Sequence, residues 1–267
     1  MTWRPLHPQH AIERTRVTIS FEQAVPEKLS TRAASIFEER AAALQFGGRI
    51  QTQTAIVSLA VGGAGSPPKP EIVPVLGWTF NRNLEDTGTI EAFGLNGADL
   101  FYEVAEYGRW AFLRQRLEAV FGQVPAFLSQ SLSHRVTTLE YQDRFVYFGA
   151  PEKADVRDLI VDIASAIPPR AASGEKMWHL HRSWVHEQSS RDIIVQQNLD
   201  PQDGALQDGT PARSLLITTR AVLRYDPGQE GIEPLYQELD LLHDVANGAF
   251  SAAIRSDFRT MVGLGAE

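Results

Sequence analysis

Strand-like and helix-like segments follow one another in this chain in a fixed order, and that order occurs twice. A strand, a helix, several strands and a closing helix are followed by the same again, at a spacing of roughly 130 residues, too long for a solenoid repeat. The expected organisation is therefore an N-terminal half over residues 1–133 and a C-terminal half over 134–267, packed as one globular unit. Each half is expected to be α+β, an antiparallel sheet with helices on one face.

In the first half, Val17, Ile19 and Phe21 alternate with Arg16, Thr18 and Ser20, the pattern of a half-buried strand. Pro26 breaks it. Ser30 is placed to cap a helix running through Gln45, with Ala33, Ile36, Phe37, Ala41 and Leu44 at helical spacing and Gly47-Gly48 as the stop. Two β-prone runs, Ala55–Val61 and Ile72–Phe80, flank the loop composition GGAGSPPKP. A second pair, Gly88–Phe93 and Leu100–Ala105, is joined by Leu95-Asn96-Gly97, and Trp110 through Val124 reads as an amphipathic helix.

In the second half, RVTTLEYQDRFVYFG reads as a long strand. DVRDLIVDIASAI reads as a helix, with Val156, Leu159, Ile160, Ile163 and Ile167 on one face and Pro168-Pro169 ending it. Strands follow over Trp178–His186, Arg191–Leu199 and Ser214–Tyr225, then a helix from Leu235 to Arg255. Two such halves could join into one continuous saddle-like sheet, as in the TATA-binding-protein-like fold, an analogy that carries no function.

At 267 residues and 43% hydrophobic, the chain can bury a substantial core. It has no cysteine, so disulfides, cysteine nucleophiles and thiolate metal sites are excluded. The N-terminus lacks a signal-peptide pattern and no run approaches the roughly 20 apolar residues of a membrane span, so a cytoplasmic location without a membrane partner is expected. The net charge is −8, distributed as −1 over residues 1–133 (12 basic, 13 acidic) and −7 over 134–267 (13 basic, 20 acidic). With Arg4, Arg14 and Arg16 as the only basic cluster, nucleic acid is not an expected partner.

Three stretches carry a family resemblance. HRVTTLEYQDRFVYF looks like an Arg-Val/Ile-x-x-Leu-x-Tyr strand, FYEVAEYGRWAFLRQRL like a strand passing into a helix, and LDLLHDVANGAFSAAIRSDFRTMVG like a closing Leu-Asp-x-Leu-His segment. Together they resemble a family of sporadically distributed bacterial proteins of about this length that has no established activity. The resemblance lies mostly in residues 98–267 and departs from the pattern where YQDRF replaces Tyr-x-Asn. It implies an accessory role, such as defence or association with a toxin.

The stretch MWHLHRSWVHE concentrates histidine and tryptophan. In a strand, His179 and His181 share a face with Met177, Ser183 and Val185, while His186 falls with Trp178, Leu180 and Trp184. A three-histidine site on a regular strand is geometrically wrong. The His179/His181 pair alone would need a third ligand, such as Asp192, Glu140 or His243. The preferred reading is a Trp-lined face on the core and a His-bearing face toward solvent or a partner. On the last helix, Asp240, His243, Asp244 and Asn247 form one stripe, which could tune an imidazole for acid–base work but reads first as a solvated face. VGGAGSPPKP lacks the ending of a phosphate loop, no Gly-x-Ser-x-Gly or His-Glu-x-x-His occurs, and DPQDGALQDGTPAR reads as an acidic hairpin loop. Trp3, beside Pro5 and Pro8, would be a contact residue if exposed.

These readings lead to a non-catalytic protein-interaction module without cofactor, partnered by another protein or by itself, with Trp3, His179, His181 and Trp184 as candidate binding residues. One alternative is a metal-assisted hydrolase around His179 and His181. Another is a small-molecule binder with a pocket between the sheet and the C-terminal helix, lined by residues such as Trp184 and Val195.

Overall fold

A computed structural model of the chain describes residues 2–60, 69–84, 88–161, 178–186, 192–206, 208–226 and 235–264. The fold is α+β, built on one large antiparallel sheet. Its strands are β1 (Thr2–Pro5), β2 (Ile12–Phe21), β3 (Gly48–Ala60), β4 (Lys69–Leu84), β5 (Gly88–Asn96), β6 (Asp99–Val104), β7 (His134–Phe148), β8 (Leu180–His186), β9 (Ile193–Ala205) and β10 (Pro211–Arg224). The helices among the described residues are α1 (Glu27–Ala43), α2 (Trp110–Phe121), α3 (Val124–Ser129), α4 (Leu235–Ala253) and α5 (Ser256–Met261).

The strand order is β3-β4-β5-β6-β2-β7-β10-β9-β8, with β1 added beside β7. On each side of the β2–β7 seam the last strand of a meander returns next to the first, so both sides are laid out in the same order. The seam itself is antiparallel, with Thr18 opposite Thr138 and Val17 opposite Leu139.

Alternation along β7 assigns its two faces. Leu139, Tyr141, Asp143, Phe145 and Tyr147 are buried against the helices, while Glu140, Gln142, Arg144 and Val146 remain half-exposed on the other side. One core cluster gathers α1–α4 on the first half and on β9 and β10, with Phe37, Phe93, Leu117, Leu139 and Leu242 at 0% exposure. A second, smaller cluster holds Trp3, Phe145, Ile160, Ile217, Phe250 and Phe258.

Several local expectations are corrected by the fold. Ser30 does not cap α1, which begins after Pro26; the buried Ser30 hydroxyl instead donates to the Leu76 carbonyl at 3.2 Å. The same helix closes before the glycine pair, at Gln45 (φ +62), where Phe46 N–H bonds the Ala41 carbonyl and Gln45 N–H that of Ala42. That is a Schellman closure built without glycine. The start of the expected helix at 155–167 is a single 3-10 turn, Val156–Asp158, capped by the Asp155 carboxylate, which accepts from Arg157 N–H. From there Leu159 and Val161 bond the backbone of Arg255 and Ala253 instead of continuing a helix. Residues 162–170 lie outside the described residues, as does the loop at 61–68. The closing helix ends at Ala253, where Ile254 bridges Ile160 and α5 begins anew.

Candidate functional site

Pro5 and Pro8 cannot donate to a ladder, and between β1 and β2 the chain leaves the edge of β7. Arg144 marks both departure and return: its carbonyl accepts from Leu6 N–H, and its N–H donates to the Ala11 carbonyl. The intervening turn brings the His7 and His10 rings within 4.7 Å of each other and stands His10 edge-on to Tyr107 at 5.8 Å. Just beyond, β2 carries a bulge at Glu13, opposite Gln142 and Asp143. Bulges often lie beside sites, because they re-aim a side chain.

Beneath this excursion is a cavity of about 150 Å³, between the helix side of β7 and the C-terminal helices. It is lined by His10, Ala11 and Ile12 from the excursion and by Tyr107 and Arg109 from the β6–α2 connection. Tyr141 and Asp143 come from β7, His243, Ala246, Asn247 and Phe250 from α4, and Val262–Leu264 from the turn after α5.

Asp143 is the most unusual of these groups. It is 2% exposed, and among the described residues its carboxyl makes no hydrogen bond or ion pair. Its neighbour Arg144 points to the opposite face, where it donates to Glu13, Gln202 and Ser214. Burial alone pushes the Asp143 carboxyl well above the usual carboxylate range, so the fold favours the protonated acid.

Two residues away on the same face, the Tyr141 hydroxyl lies 2.9 Å from His243 Nδ1. His243 is stacked on Trp110 at 4.4 Å with the planes 6° apart, and Trp110 Nε1–H donates to Asp240 at 2.8 Å. Burial lowers the His243 pKa, only partly opposed by Asp244 and Asp240, and leaves a neutral imidazole at neutral pH. Burial also pushes the Tyr107 phenol up to about 12, against hydrogen bonding from Tyr141 that draws it down. Tyr141 itself is raised by burial and by Tyr107. His10 is lowered by burial, by His7 and by Arg109, and its buried Nδ1 has no partner among the described residues.

Arg109 closes the set. It precedes α2 with φ +85 and ψ 155, a region that is essentially glycine-only and costs of order 1–3 kcal/mol. Its guanidinium reaches the Gln9 carbonyl at 3.5 Å and packs against Gly263 so closely that a Cβ there would meet Nη1 at 2.8 Å. The strained residue thus ties the excursion to the C-terminal turn at the cavity wall.

The residues singled out in the sequence lie elsewhere. Trp3 is 1% exposed, donates from Nε1 to the Asp155 carbonyl at 2.8 Å and packs edge-on against Tyr147; it is a core residue and offers no surface contact. His179 and His181 are exposed on β8 and its lead-in, with Nδ1 at 2.5 Å from Asp200 and 2.6 Å from Asn198 respectively. Trp184 is half-buried on the other face beneath the Arg182 guanidinium, Val195 is fully buried, and neither lines the cavity. Met177 and Glu187 lie outside the described residues. Among the described residues no group of three or more His, Asp or Glu side chains is placed to hold a metal ion, and no helix is long and apolar enough to cross a membrane.

His243 and Asn247, from the polar stripe of the last helix, both line the cavity. The solvated-face reading is corrected at His243, which turns inward onto Trp110 and Tyr141, while Asp244 is exposed. Tyr107, Arg109, Asp143 and His10 were missed. Only Asp143 had a local signal, a carboxylate in phase with Leu139, Tyr141 and Phe145 on an apolar face. No protein-family model matches the chain, and no curated protein matches it significantly.

Proposed function

We propose that this protein binds a small molecule in the cavity between β7 and α4. The observation that carries the reading is Asp143, a buried carboxyl without a partner among the described residues, facing a space of about 150 Å³. Buried polar groups are normally hydrogen-bonded, and leaving one unpaired costs about 1–3 kcal/mol. The strained Arg109 and the Tyr141–His243 contact at the same cavity support it, because strain and perturbed acids concentrate at functional sites. A cavity of this size holds a molecule about as large as benzene. The test is a thermal-shift screen of small carbonyl, carboxylate and amine compounds on the wild type and on Ala246→Phe, which fills the cavity from α4. At least one compound should raise the wild-type midpoint and leave the filled variant unchanged. A screen in which every shift survives Ala246→Phe rejects the reading.

A protein partner is a second reading, supported by β8. It is the last strand of the sheet among the described residues, and Val185 is 49% exposed on it. Concentration-dependent association that Val185→Lys abolishes is expected; a monomer at every concentration rejects self-pairing through this edge. The matching strand orders on the two sides of the seam also support a duplicated, saddle-like unit. An experimental structure in which β2–β6 and β7–β10 fail to superimpose overturns that proposal.

A further inference from the structure

The cavity offers a particular set of groups, and their chemistry narrows what it can hold. Tyr141 and Asp143 are two residues apart on β7, so both side chains rise from the same face of one strand. Tyr141 is engaged at its hydroxyl by His243 Nδ1 and interacts with the Tyr107 hydroxyl. A phenol whose oxygen is already engaged becomes a stronger donor, since chained hydrogen bonds polarise one another. Asp143 stands beside the chain, close enough that an ionised carboxylate there would raise both phenols. Arg109 is the one guanidinium among the described residues that lines the cavity.

Resting on the cavity as a binding site, we propose that its ligand presents an oxyanion or a polarised carbonyl oxygen to Tyr107 and Asp143, as a small phenol or an enolisable carbonyl compound does. Three features favour this class over an amine. Arg109 already places a positive charge at the cavity wall, which repels an ammonium and attracts an oxyanion. His10, besides being buried, is lowered by the nearby His7 and Arg109, and that positive surrounding disfavours a further cation. Burial raises the Asp143 carboxyl and so favours the acid form, which can donate into a hydrogen bond. A phenol paired with a carboxylic acid kept neutral by apolar surroundings is an established way of holding an oxyanion, and such preorganised donors are worth far more in a dry site than in water.

The probe is para-nitrophenol, whose ionised form absorbs in the visible, titrated into the full chain at a pH where the free compound is mostly neutral. The bound compound should show the phenolate spectrum, and affinity should rise from phenol through para-chlorophenol to para-nitrophenol as acidity rises. Asp143→Leu and Tyr107→Phe should each weaken para-nitrophenol binding by about tenfold, a difference of about 1.4 kcal/mol, with the unfolding midpoint confirming that each variant is folded. Benzylamine serves as the cationic control. If para-nitrophenol binds only as the neutral phenol, or benzylamine binds more tightly and displaces it, the ligand class is wrong and the cavity remains a binding site. If neither probe binds, or binding survives Ala246→Phe, the ligand class and the cavity reading fall together.

Discussion

Glu91 and Asp143 are both 2% exposed, and both sit on strands of one sheet, facing its helices. Burial pushes both carboxyls up, yet they end on opposite sides of their ordinary values. Glu91 receives two hydrogen bonds from Arg116, at 2.6 and 2.9 Å, one from the Tyr102 hydroxyl at 2.8 Å and one from Arg82 at 3.1 Å. These partners outweigh desolvation and hold its carboxyl below the ordinary range. Asp143 has no such partners among the described residues and is raised. Depth alone therefore does not decide the state of a buried acid. A buried acid with a full complement of donors ties α2 to β5, whereas one facing an open volume is available to a ligand.

The largest effect expected from this contrast belongs to Glu91. Glu91→Gln should lower stability by about 3 kcal/mol in urea unfolding at neutral pH, because it strands Arg116 without its charge partner. The folded pKa of Glu91 is depressed, so its contribution is present above the unfolded value of 4.5 and is lost as pH falls through the lower folded value. The gap between wild type and variant should accordingly close in acid. Equal destabilisation by Asp143→Leu would break the comparison.

Asp143→Leu should instead raise stability by about 1–2 kcal/mol, since it removes an unpaired polar group and has cavity space to occupy. The sign of its pH dependence is opposite. The folded pKa is raised, so the wild type is penalised least below the unfolded value of 3.8 and progressively more as pH rises toward the folded value. The gain from Asp143→Leu should therefore grow above about pH 4. A gain that is flat with pH would mean that the acid is not buried as described.

Smaller still is Arg109→Gly, expected to raise the unfolding free energy by about 1 kcal/mol by relieving the φ of +85, whereas Arg109→Ala keeps the strain and should give no gain. At the bottom of the scale, His179→Ala and His181→Ala should stay within about 0.5 kcal/mol of wild type, as exposed residues usually do. A larger loss at either would restore that strand as a candidate site.

Much of the architecture was legible in local pattern. The alternation in β2 and β7, the hairpin of β5 and β6 around Gly97 (φ +65) and the inward residues of α4 all follow from side-chain period and turn chemistry. The misreadings have specific causes. Ser30 has the residue type of a cap, but its hydroxyl is taken by Leu76 across the packed sheet. Residues 155–161 have helical spacing, but their backbone is bonded to the segment that follows α4. Asp240, His243, Asp244 and Asn247 form a polar stripe, but Trp110 lies against part of it.

From the sequence alone came the α+β class, the faces of the long strands and the exclusion of thiol chemistry, because each depends on composition or on a period of a few residues. The cavity was decided by tertiary structure. Tyr141 and His243 are 102 residues apart, and Trp110 and Asp240 are 130 apart. Local period tells which way a side chain points, not what waits there. Whether a carboxyl or an imidazole keeps its proton depends on the charges and donors around it, and at this site they arrive from the excursion after β1, the start of α2, the middle of β7 and α4.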